Sequence, residues 1–141
     1  MTVASALHAR LRAALPEQVP VLPPEDIQKI NAGGKPGQPA GLASYLKAHP
    51  EGWVVVEEPV PISSDGTTAV FWVAVASVAG TAAEAAALAA RVARALGGTP
   101  YEPGPHTEVT PAGPSLLDPR VPGVWAVRPT YDALTIAGMP Q

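Results

Sequence analysis

The sequence predicts an α+β fold: a mostly antiparallel sheet, one long helix packed on one face, a short N-terminal helix, and long Pro/Gly-rich loops. Three observations predict it. Residues 53–56 and 68–78 are β-branched and aromatic runs joined through "SSDGTT", whose Asp65-Gly66 pair is a hairpin signal. Residues 81–98 read as an Ala-rich helix with a cap at each end. The chain also carries 18 prolines and 13 glycines, so much of its 141 residues cannot be regular structure. That length suits a single domain, residues 1–141, with a Pro/Gly-rich loop segment at about 16–50.

The elements follow in order. Leu7, Leu11 and Leu15 recur at i, i+4 and i+8, one narrow stripe of a helix over residues 3–15 that Pro16 stops. Residues 18–22 read as extended and residues 25–30 as one helical turn, and "NAGGKPGQPAG" reads as a loop over residues 31–41. "GLASYLKAHPEG" reads as a short helix with Leu42, Tyr45 and Leu46 on one side.

Residues 53–62 read as one continuous strand. Pro59 and Pro61 lie two apart, so their missing N–H groups fall on the same side, which places that strand at a sheet edge. Thr81 and Glu84 have capping-box spacing, Leu88, Val92 and Leu96 form the apolar stripe, and Gly97-Gly98 end the helix. A strand is expected at residues 106–110 and another at 124–137, bent at Pro129.

The run "GTTAVFWVAVASVAGTAA" holds eighteen residues without a charge, about the length at which a membrane span becomes a candidate. It fails as a span. A hairpin turn opens it and a helix cap at Thr81 restarts the chain, so no unbroken helix of about 20 residues is available. The alternative is a strand buried on both faces, with Phe71, Val73 and Val75 one way and Val70, Trp72, Ala74 and Ala76 the other. The long helix, helped by the N-terminal one, covers one face. The other has few candidates within the chain, and a partner subunit is the expected cover.

Composition excludes several functions. The net charge of -3 gives no basic footprint for gripping nucleic acid. The absence of cysteine removes disulfides, thiolate metal sites and cysteine nucleophiles. The N-terminus lacks a basic stretch ahead of an apolar one, so it does not read as a secretory signal.

Catalytic constellations are missing too. His8, His49 and His106 stand in unlike contexts and read as solvated surface residues. "HTE" at residues 106–108 resembles the H-x-E of zinc deaminases, but its cysteine partners do not exist here. "GGKPG" is not a phosphate loop. Glu57 and Glu58 are adjacent in a strand and point to opposite faces. Asp118 reads as a turn residue before Pro119, and Asp132 as solvent-exposed or paired with Arg128 or a neighbouring subunit. Trp53, Trp72 and Trp125 read as core, with a subunit interface as the alternative. The chain therefore reads as non-enzymatic, with no catalytic residue, cofactor or metal.

The order of elements carries a resemblance. A helix ending "RAALP" precedes the hairpin "VVVEEPVP…DGTTAVFWVAVAS", then the helix "TAAEAAALAARVARAL", a Pro-rich loop and a strand ending "YDALTIAG". This resembles the tail terminator proteins of long-tailed phages, over residues 3–15 and 53–137. The resemblance implies a homohexameric ring that caps the tail tube, ends its polymerisation and joins it to a head-side connector or stopper protein. It implies a virion protein of the tail or neck, assembled in the bacterial host cytoplasm, with DNA passing through the lumen without specific binding. Expected contact residues are Val70, Trp72 and Ala74 on the less covered face, Tyr131 and Asp132 on the last strand, and Lys35 in the 31–41 loop. Alternatives are another neck or tail protein (a head–tail stopper or minor tail protein), a cytosolic α+β enzyme or ligand-binding domain, or a module of a ring-based secretion or contractile apparatus.

Overall fold

The computed structural model describes residues 3–26, 41–97, 104–110, 112–117 and 123–136; within these, the side chains of residues 26, 41–44, 104–110, 135 and 136 are not described. The elements are helix α1 (Val3–Ala14), strand β1 (Val21–Leu22), a 3-10 turn (Pro24–Asp26), helix α2 (Gly41–Ala48), strands β2 (Trp53–Val56), β3 (Val60–Ser64) and β4 (Thr68–Ala79), helix α3 (Ala82–Leu96), and strands β5 (Gly104–Thr110), β6 (Ser115–Leu116), β7 (Trp125–Val127) and β8 (Thr130–Ile136). Their mix of helices and one sheet is α+β. β1 pairs β2 in parallel, and the other described pairings are antiparallel.

β4 is the spine of the sheet. Twelve residues in a strand reach about 40 Å, longer than any neighbour, so each side of β4 is occupied by two strands in succession. Its second half pairs β2 on one side and β7 on the other. Its first half pairs β3 and β8.

The expected continuous strand over residues 53–62 is therefore two strands. It breaks at Glu57–Pro59, where two residues lie between the Glu57 and Val60 positions against one residue of β4. β3 has no described partner other than β4, so it is an edge, which suits its Pro61. The last strand breaks at the same level, at Arg128-Pro129.

Local chemistry fixes the corners. Asp65 N–H donates to the Thr68 carbonyl at 3.1 Å, and Gly66 sits at φ 88°, the positive angle that the first turn residue of this two-residue hairpin needs. Asp65 Oδ1 accepts from the Thr67 and Thr68 N–H groups at 2.8 and 2.7 Å, and these bonds to its charged form hold its carboxyl below the usual carboxylate range. At the helix start, the Thr81 hydroxyl accepts from the Glu84 N–H and donates to Glu84 Oε1, both at 3.1 Å. Gly97 ends α3 in an extended conformation, donating to the Ala93 carbonyl; the left-handed cap that glycine often supplies is not used.

The uncharged run divides between β4 and the start of α3, and among the described residues no helix is long and apolar enough to cross a membrane. One face of the sheet carries Val54, Val56, Phe71, Val73, Val75, Tyr131 and Ala133 against Leu7 and Leu11 of α1 and Leu88, Val92 and Leu96 of α3. This is the main core. The other face is covered by the chain itself along half its length. There Trp53, Val55, Ala76, Val78, Val124 and Ala126 pack with Tyr45 and Leu46 of α2. Leaving that whole face to a partner was too strong an expectation: α2 already covers the half around Ala76 and Val78.

Candidate interaction surface

The uncovered half of that second face lies over the first half of β4. Residues directly opposite on antiparallel strands share a face, with Cβ atoms about 5 Å apart. Val60 is opposite Trp72, and Trp72 is opposite Asp132. The three therefore form one row across β3, β4 and β8. Trp72 is 42% exposed, Val60 54% and Ile62, the bulged residue of β3, 43%. Among the described residues these are three of the four large hydrophobic side chains that remain exposed, the fourth being Leu116.

Of the expected contact residues, the structure brings Val70, Trp72, Ala74 and Asp132 onto this one face. Val70, Ala74 and Asp132 are half-buried. Tyr131 is a correction. It lies opposite Val73, points into the main core and is 2% exposed, so its own chain already occupies its surface. Adjacent strand residues face opposite ways, so Tyr131 and Asp132 could never both face outward. Lys35 and the loop at residues 31–40 lie outside the described residues.

A polar clasp closes the surface where the covered half begins. Arg128 Nε donates to Glu57 Oε2 at 2.5 Å and Arg128 Nη2 to Glu57 Oε1 at 2.6 Å. The two residues flank β4 from opposite sides, and the bond crosses the strand where it carries only Ala74 and Ala76 on that face. Small side chains leave the space the guanidinium needs. The carboxylate raises the Arg128 pKa. Arg128 thus pairs with Glu57, 71 residues away.

The other described residues show little chemistry. His8 is half-buried and not merely solvated: its Nε2 lies 2.7 Å from the Val21 carbonyl, a bond that the ring's N–H tautomer donates. Among the described residues no cluster of three His, Asp or Glu could hold a metal. A cavity of about 310 Å³ lies between α2 and the start of α3, lined by Leu46, Lys47, Thr81, Glu84 and Val124 among others. Thr81 and Glu84 already bond each other in the helix cap. Few polar groups are left there to orient a ligand. Ser77 Oγ and Arg10 Nη1 are buried without a hydrogen-bond partner among the described residues. Burial lowers the Arg10 pKa.

No protein-family model matches the chain, and no curated protein matches it significantly.

Proposed function

We propose that this chain is a structural assembly subunit that forms a homohexameric ring of the phage tail-terminator kind, capping a tail tube and meeting a head-side connector or stopper protein. The observation that carries the proposal is the Val60–Trp72 row. Trp72 and Val60 stand exposed side by side on one half-face, next to the bulged and exposed Ile62. Exposed apolar clusters of this kind mark protein contacts. The order of elements supports the same conclusion.

The test is the mass of the purified protein by light scattering over a concentration series, with and without tail tube protein. The expected species is six copies of a 14.4 kDa chain, about 86 kDa. A monomer at all concentrations that ignores the tube protein would overturn the proposal.

A further inference from the structure

We infer that Asp65-Gly66 is a covalent modification site, the place where this chain forms isoaspartate, and that the folded hairpin keeps it closed. The chain has four aspartates and one asparagine, and Asp65 alone among them precedes a glycine. Asp118 precedes Pro119, which has no N–H to give up, and Asp26 precedes the β-branched Ile27. Gly66 has no side chain to shield its nitrogen, and even an added Cβ there would meet nothing within 4 Å. Residues 61–67 are all exposed, so water reaches the pair.

The chemistry is a loss and then a gain of water. The Gly66 nitrogen bonds to Asp65 Cγ, while the carboxyl hydroxyl and the amide hydrogen leave together as water. The product is a succinimide ring. Water then opens the ring at either carbonyl. Opening at the Asp65 main-chain carbonyl leaves the chain running through Cβ and Cγ. That product is isoaspartate, unchanged in mass and longer by one backbone atom.

The turn opposes ring closure at each group it uses. Asp65 Oδ1 accepts from the Thr67 and Thr68 N–H groups at 2.8 and 2.7 Å, and Oδ2 accepts from the Thr68 hydroxyl at 3.2 Å. Cγ cannot swing onto the Gly66 nitrogen until these bonds break. The same bonds favour the charged carboxylate, whereas water leaves from the protonated acid. The Gly66 N–H donates to Ser64 Oγ at 3.4 Å, and ring closure removes that hydrogen.

Isomerisation undoes the turn it starts from. The carboxyl carbon that carried Oδ1 and Oδ2 becomes part of the main chain, so the bonds to Thr67 and Thr68 are lost. β3 has no described partner other than β4, and this turn is what joins the two. Loosening it loosens the strand that carries Val60 and Ile62. That consequence for assembly rests on the function proposed above, and the isomerisation itself does not.

The test is to age the full chain, folded in buffer and unfolded in urea, at the same mildly acid pH and temperature. Electron-transfer fragmentation of the peptide carrying Asp65 distinguishes isoaspartate from aspartate by the backbone bond it splits. Isoaspartate at residue 65 is expected in the unfolded chain, and at least about tenfold more slowly in the folded one, since two backbone hydrogen bonds must break first. Thr68→Val keeps the shape of the strand residue and removes the Oδ2 bond, so its folded chain should isomerise about fivefold faster than the wild type. Circular dichroism confirms that this variant folds. Equal rates in the folded and unfolded wild type overturn the closure, and a folded Thr68→Val chain no faster than wild type overturns the part given to the side-chain bonds. An unfolded chain without isoaspartate at residue 65 overturns the site. A chain that isomerises as expected but stays monomeric leaves this inference standing and overturns only the ring.

Discussion

Trp72→Ala separates assembly from folding. A tryptophan side chain presents up to about 250 Å². With Trp72 42% exposed, about 100 Å² remains for a partner to cover. At about 25 cal/mol per Å² that is about 2.5 kcal/mol per contact, or roughly a 60-fold weaker association. The part already buried in the monomer is about 150 Å², so truncation also lowers fold stability, by at most about 4 kcal/mol. Two measurements keep the effects apart: sedimentation equilibrium over a dilution series for association, and urea unfolding for stability. Val60→Ala is the companion variant, because Val60 is more exposed than buried and its loss falls mainly on association. A folded Trp72→Ala protein that assembles at the wild-type concentration would refute the assignment of this face.

Four further outcomes test the fold beneath that face. Gly52→Ala should cost about 3 kcal/mol or more in urea unfolding, because Gly52 holds φ 92° and an added Cβ would stand 2.2 Å from the Val78 carbonyl oxygen; a loss under about 1 kcal/mol would contradict that geometry. Ser77→Ala should stabilise by about 1 kcal/mol, since it removes a buried hydroxyl without a partner among the described residues; a clear loss in urea midpoint would show that the hydroxyl is satisfied. Asp65 has a lowered folded-state pKa, so its contribution is present above the unfolded carboxylate value and is lost as pH falls through the lower folded one; an NMR titration that finds Asp65 at or above the usual aspartate value would refute the turn bonds. A double-mutant cycle on Glu57→Gln and Arg128→Gln should give a coupling of about 0.5–1 kcal/mol that shrinks in 1 M salt, both side chains being partly exposed; zero coupling at low salt would mean that the clasp does not hold in solution.

The sequence made local chemistry legible and left register obscure. The Asp65-Gly66 turn, the Thr81/Glu84 cap and the proline-marked edge each depend on residues within a few positions of one another, and each formed where expected. Two apolar residue sets predicted β4 to be buried on both faces, and this holds only for its second half, since Trp72 in the first half is exposed. The break at Glu57–Pro59 was not legible, because it arises from β4 outlasting β2, a property of the partner strand. Tyr131 and Asp132 could not be assigned to faces without the register that sets Tyr131 opposite Val73. The clasp joins positions 71 apart, and no local pattern marks it. The cover over Trp53 and Val78 was missed because α2 is eight residues long, too short for its Tyr45 and Leu46 side to stand out as a core stripe.

The two strand breaks bear on how a partner can approach. An open sheet offers two kinds of contact, strand addition along an edge or packing on a face. The β3 edge is blunted by Pro59 and Pro61 and by the bulge at Ile62, the devices that stop edge-to-edge pairing. The same strand leaves Val60 in water beside Trp72. A chain guarding only against aggregation would gain from a polar residue at Val60, since that change would disturb no backbone pairing. Keeping valine there while closing the edge directs association onto the face. The clasp limits it further, because Arg128 and Glu57 place a charged, bonded pair where the α2-covered half begins. An approaching surface must therefore be flat enough to meet Val60 and Trp72 between that pair and the hairpin at Asp65.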